Sequence, residues 1–216
     1  LRAEEGDVGP RAKEPEDLYR FVLHLCEAGT FELAGHREFV DHCTKRMDEL
    51  LTRYAGEFDT HARALSAEAA SEESDKVPGA VRAAAWDLEI LFDLGRFLDH
   101  PQRTPLLRRG AALRATKMSV YAVASLLALR EDVPVERIET LAQRPNVRSV
   151  LWTKLHKSGR LDALPARWRT HLALAEADMA QWLEYPAEYG CAPEALELLE
   201  KVRVREDEGL RDYYFF

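Results

Sequence analysis

The side chains best suited to chemistry in this 216-residue chain lie near its start. Glu32 and Glu38 each stand four residues before a histidine, at His36 and His42. A carboxylate and an imidazole at that spacing share one face of a helix, and facing helices can build a metal site from such pairs. The same stretch places Arg37 and His42 with four residues between them. Neither pattern is specific. No HxxxH, ExxH or HExxH occurs, and with 7 histidines and 23 arginines in the chain chance supplies about two Arg–His pairs over the three separations such a motif allows, where the chain has one. On a straight helix a separation of five residues also turns the two side chains about 140° apart. The chain has no GxSxG, no glycine-rich phosphate loop and no GxGxxG, so no cofactor is expected. Its three cysteines, Cys26, Cys43 and Cys191, are odd in number and lack a CxxC, which predicts buried thiols in a reducing compartment.

Binding is the other use for such residues. Residues 1–76, 77–170 and 171–216 carry net charges of −8, +7 and −7 within an overall charge of −8. The central block holds Arg103, Arg108, Arg109, Arg114 and Lys117, then Arg144, Arg148, Lys154, Lys157 and Arg160. Cations on stacked helices can follow a phosphate backbone, so nucleic-acid binding through 103–160 is a candidate. The plainer expectation is helix-to-helix compensation. Either the acidic flanks cover the basic helices, or each charge stands free for a partner. Candidate partner-facing residues are Arg108, Arg109 and Arg148, with Trp182 and Tyr185 at a helix end; Trp86, Trp152, Trp168 and Trp182 are otherwise expected in packing contacts.

These residues need elements to hold them, and the apolar spacing is helical almost throughout. Leu18, Phe21, Val22, Leu25 and Cys26 recur with helical period between Pro15 and Gly29. Phe39, Val40, Cys43, Met47, Leu50, Leu51 and Tyr54 continue it from about 36 to 54, where Gly56 is expected to interrupt before a short helix at 58–69. Further helices are predicted at 80–99, 105–115 (with Thr104 as N-cap), 117–130, 135–143, 146–158, 166–184 and 193–200, several opening with proline. Alternation in Lys201–Arg205 and a turn at 206–209 predict a C-terminal β-hairpin ending in Tyr213-Tyr214-Phe215-Phe216. Four aromatic residues there should dock on the helices. The division expected is a flexible segment at 1–13, an N-terminal helical bundle or cap at 14–70, a linker at 71–79, a repeat-like helical region at 80–200 and the hairpin at 201–216. With 46% hydrophobic and 31% charged residues, disordered, collagen-like and membrane-spanning classes are excluded. The first residues lack the apolar core of a leader peptide, so a cytoplasmic protein with no membrane association is expected. A start at Leu1 in place of Met leaves room for a preceding segment.

Two resemblances follow from particular residues. Ser125-Leu126-Leu127-Ala128-Leu129, Arg148–Leu155 and Gln181-Trp182-Leu183-Glu184-Tyr185-Pro186-Ala187-Glu188-Tyr189-Gly190 make 104–200 similar to bacterial HEAT-like repeat proteins. That resemblance implies an all-α fold of stacked antiparallel helical hairpins whose concave face or edge binds a partner, and it transfers no catalytic residue. The Arg37-x4-His42 spacing resembles that of HEPN ribonucleases, which are also helical; that resemblance implies that the arginine would stabilise phosphate charge and the histidine would act as acid or base in cleavage through a ribose 2′-OH. The leading expectation is a non-enzymatic scaffold or regulatory, immunity-type partner of another protein, whose acidic N-terminal block would cover a basic target. A ribonuclease or metal enzyme at Arg37/His42 and nucleic-acid binding are the competing readings.

Overall fold

The structure is a computed structural model and describes residues 15–64, 78–184, 195–206 and 209–216. Those residues form α1 (Pro15–Glu27), α2 (Arg37–Ala64), α3 (Gly79–Gly95), α4 (Arg103–Ala111), α5 (Thr116–Ala128), α6 (Val135–Ala142), α7 (Pro145–Lys157), α8 (His171–Glu184) and the strands β1 (Glu200–Glu206) and β2 (Gly209–Phe215). The mostly helical body and the C-terminal hairpin both follow the sequence pattern. The expected segments 1–13 and 71–77 lie outside the described residues, as do Tyr185 and Cys191.

Helix boundaries obey local chemistry where the local signal is strong. Gly29 ends α1 at φ 67°, and Gly159 follows α7 at φ 66°; both occupy the left-handed region that a residue without Cβ enters freely. Gly56 does not interrupt α2, which runs unbroken from Arg37 to Ala64. A single glycine costs a helix only about 1 kcal/mol, and Phe58, buried one turn later, continues the inward stripe of Leu50, Leu51 and Tyr54. The helix expected at 193–200 is absent from 195–199, and β1 begins at Glu200 instead. Thr104 does not cap α4: Gln102 holds that place without a side-chain bond, and the Thr104 hydroxyl reaches Glu131 at 3.3 Å. The span expected as one helix at 166–184 divides into a short 3-10 turn at Ala166–Arg169 and α8.

Two apolar cores sit side by side. The first is built by α1 to α5, with Tyr19, Met47, Leu88, Leu91, Phe92 and Leu107 deep inside. The second joins α5 to α6, α7 and Leu164, through Val123, Leu141, Leu151 and Leu155. Helix α5 belongs to both, with Met118, Ala122 and Leu126 turned into one core and Val120, Val123 and Leu127 into the other. A helix apolar all round has this use. Close packing of α4 beside it depends on Gly110, where a Cβ would stand 2.4 Å from the Phe92 ring and 3.0 Å from Ala122. Helix α1 contacts α3 and turns Tyr19, Val22 and Cys26 inward. Leu18 and Phe21, which share the helical period with those residues, face outward. The buried ring of Tyr19 sets that rotation.

The hairpin pairs Glu200 with Phe215 through Glu206 with Gly209 in antiparallel register. Of the four aromatic residues expected to dock, Tyr213 and Phe215 are exposed, the latter at 52%, while Tyr214 and Phe216 are half-buried. Among the described residues no helix is long and apolar enough to cross a membrane.

Candidate functional site

The N-terminal candidates separate once folded. Arg37 opens α2, and His42 lies on the same helix with its Nε2 hydrogen-bonded to the Tyr19 hydroxyl at 2.9 Å. Both residues are exposed, and neither lines the open depressions at 46–54/80–84 and 24–28/96–97/157–158. Glu32 and His36 fail to share a helix face because the chain is extended at Glu32 and makes a 3-10 turn at Leu33–Gly35. The His36 ring packs instead on Phe31, centroids 4.6 Å apart. Glu38 and His42 keep their helical spacing on α2, but among the described residues no group of three or more His, Cys, Asp or Glu could hold a metal ion. The set Glu32, His36, Glu38 and His42 is therefore not assembled.

The basic block is largely engaged by its own chain. Arg109 pairs with Asp48 and donates to Thr52 Oγ1 at 3.0 Å, tying α4 to α2. His100 lies 3.7 Å from Asp41, and Glu27 meets Arg96 at 2.5 Å and Lys157 at 4.0 Å. Asp59 accepts the backbone N–H groups of Arg114 and Ala115 at 2.6 and 3.2 Å, which sets a carboxylate at the N-terminus of α5 where the helix dipole favours it. Arg108 is exposed and bonded to Glu131 at 2.9 Å.

Arg148, expected on a partner-facing surface, is an interior residue at 1% exposure. Its Nε and Nη1 donate to the carbonyls of Ala173 and Ala142 at 3.0 and 2.8 Å, and its Nη2 meets Glu176 at 2.5 Å. The Trp168 ring lies 4.7 Å from its guanidinium carbon. Five donors in a planar fork suit arginine to this clamp between α7 and α8. Trp182, at 55%, and Trp86 are both exposed although packing contacts were expected of them.

A polar seam that motif reading missed crosses the body. Glu89 and Asp93 of α3 and Arg96, the residue after its end, stand at i, i+4 and i+7. Tyr121 of α5 bonds to the Glu89 carboxylate, and the Lys154 ammonium of α7 pairs with Asp93 and lies 4.9 Å from the Tyr121 ring centroid. Burial is the main influence on Glu89 and raises its carboxyl to about 7, against the opposing effects of the Tyr121 hydrogen bond and of Lys117. Burial likewise raises Asp93, opposed by Lys154, and draws Lys117 down, opposed by Glu89. A carboxyl poised near neutrality resembles a general acid or base. Neither of the two depressions is lined by Glu89, Asp93, Tyr121 or Lys154, however, and the groups satisfy one another. The signal that could have found the seam is the charged stripe at 89, 93 and 96, set among the apolar residues of the second half of α3 and just after it.

The hairpin is the remaining site. Register puts Val202, Val204, Tyr213 and Phe215 on one face together with Glu200, Glu206 and Arg211, and Lys201, Arg203, Arg205, Leu210, Asp212 and Tyr214 on the other. Asp212 takes Lys201 at 2.7 Å and Arg203 at 2.6 Å, and these cations hold its carboxyl far below the usual carboxylate range. Glu206 binds the Tyr213 hydroxyl and Arg211, which lies at 3.2 Å. Polar contacts thus lock the register, while Val204, Tyr213 and Phe215 remain exposed. No known protein family, no curated protein and no solved structure matches the chain.

Proposed function

We propose that the protein is a non-enzymatic binding module of regulatory or immunity type: a HEAT-like stack of helical hairpins that offers its C-terminal β-hairpin to another protein. The observation that carries this reading is the exposure of Val204, Tyr213 and Phe215 on one face of a hairpin with ordered polar cross-links. An isolated two-stranded hairpin is marginal in water, and an apolar face of this kind is stabilised by cover. Trp182, exposed on α8, adds an aromatic anchor of the type enriched at interfaces. In the acidic N-terminal block, Glu27, Asp41, Asp48 and Asp59 among the described residues are bonded within the chain, which makes them weaker candidates for a partner. Nucleic-acid binding is disfavoured on the same ground, since Arg109, Lys154 and Lys157 are paired and Arg148 is interior.

The test is affinity purification from the source cells with the wild-type chain and a Tyr213→Ser/Phe215→Ser variant, with helical content checked by circular dichroism. A protein recovered with the first and lost with the second, at equal helicity, is the expected result. Recovery of the same proteins by both would overturn the reading.

A further inference from the structure

A two-stranded sheet leaves one edge of each strand unpaired, since alternate residues direct their N–H and C=O groups away from the partner strand. Among the described residues, the backbone bonds of β1 and β2 run between those strands, with Leu199 N–H to the Phe215 carbonyl extending them. The two edges differ in charge. Along β1 the order is Lys201-Val202-Arg203-Val204-Arg205, a row of three cations on one face alternating with valines on the other. Among the described residues Asp212 is the carboxylate on the cationic face and is shared by Lys201 and Arg203, so their positive charge is in excess there.

This row decides what can lie beside β1. A second copy pairing antiparallel about Arg203 would set Arg203 against Arg203 and Lys201 against Arg205, and like charges directly opposite are destabilising. Slipping the register by one residue would turn cations toward valines and set the two faces against each other. An extended segment with carboxylates at alternate positions and β-branched residues between them meets neither obstacle. Its carboxylates would lie beside Lys201, Arg203 and Arg205, and its apolar side chains would extend the face of Val202 and Val204. We propose that the outer edge of β1 accepts, by strand addition, a partner segment in which acidic and apolar residues alternate. The inference rests on the hairpin being the partner-binding element and adds the chemistry of the partner. The sign of charge is the reverse of the basic target that the acidic N-terminal block suggested.

The experiment uses the full chain labelled with 15N and two blocked synthetic peptides, one alternating glutamate with valine and one alternating lysine with valine. The glutamate peptide is expected to shift the amide resonances of 200–206 more than those of 209–215 and to bind about tenfold or more tighter than the lysine peptide. Its affinity should fall when the salt concentration is raised about tenfold. In an Arg203→Glu/Arg205→Glu variant the preference should pass to the lysine peptide. Equal affinity for the two peptides, no binding of the glutamate peptide, or shifts confined to the β2 edge would each overturn the proposal. If the variant loses its hairpin resonances, salt dependence of the wild-type chain decides, and an unchanged affinity sinks the idea. Loss of partner capture by Tyr213→Ser/Phe215→Ser without any glutamate preference would remove strand addition and leave the hairpin as the binding element.

Discussion

The helical body and the C-terminal hairpin follow the same patterning rule and end in opposite states. On α3 the apolar positions Leu88, Leu91 and Leu94 are fully buried by neighbouring helices. On the hairpin, Val204, Tyr213 and Phe215 obey a strict alternation and stay exposed. Periodicity therefore identifies the face that favours burial, and only the tertiary arrangement decides whether the chain supplies the cover. In the body, charge supports packing: Arg148 ties α7 to α8 and Arg109 ties α4 to α2. In the hairpin the ion pairs hold the register and leave both faces open.

The sharpest way to break this contrast is to remove one large apolar side chain from each region. Phe92→Ala should cost about 3–5 kcal/mol in urea unfolding, because a fully buried ring leaves a cavity that its neighbours fill only in part. A loss under about 1 kcal/mol would mean that the body is loosely packed. The second measurement is pH dependence. Glu89 has its carboxyl raised to about 7 from an ordinary 4.5, so the folded chain holds a proton that the unfolded chain releases. Its contribution is full below the unfolded value and is lost as pH rises through the folded one. Stability should fall by roughly 3 kcal/mol between pH 4.5 and 8 on this account, and Glu89→Gln should flatten that slope in thermal melts. An unchanged slope would place the dependence on other groups.

A smaller effect is expected at Gly110. Adding a methyl forces Phe92 or Ala122 aside, and Gly110→Ala should destabilise by about 1–3 kcal/mol. A gain in stability would show that α4 can move away from α5. The smallest belongs to the hairpin: Phe215→Ser should change unfolding free energy by less than about 0.5 kcal/mol while reducing partner capture. A large loss would reveal that the ring is covered in solution and would bring the two regions into the same class.

Much of the element order was legible because it rests on local chemistry. Pro15 and Gly29 bound α1, Pro134 precedes α6, Gly159 follows α7, and the alternation after Lys201 gave the hairpin. What failed depends on distant neighbours. Gly56 was overridden by burial of Phe58, Thr104 found a partner in Glu131, and 195–199 did not continue as helix. The site was less legible. Arginine is rarely buried, so Arg148 reads as surface until Ala142, Ala173 and Glu176 are brought around it. The exposed hairpin face could be identified but not its exposure, since nothing local records that the helices leave it uncovered.

Helix α5 bears a consequence for how the body comes apart. Because its two sides seal separate apolar clusters, it cannot leave either without opening the other, so the halves on each side are bound into one cooperative unit. The amides of α5 should then exchange with solvent only through global opening, whereas the hairpin can fray and re-form without disturbing them. A ligand gripping the hairpin would slow exchange there and leave the central helix as it was.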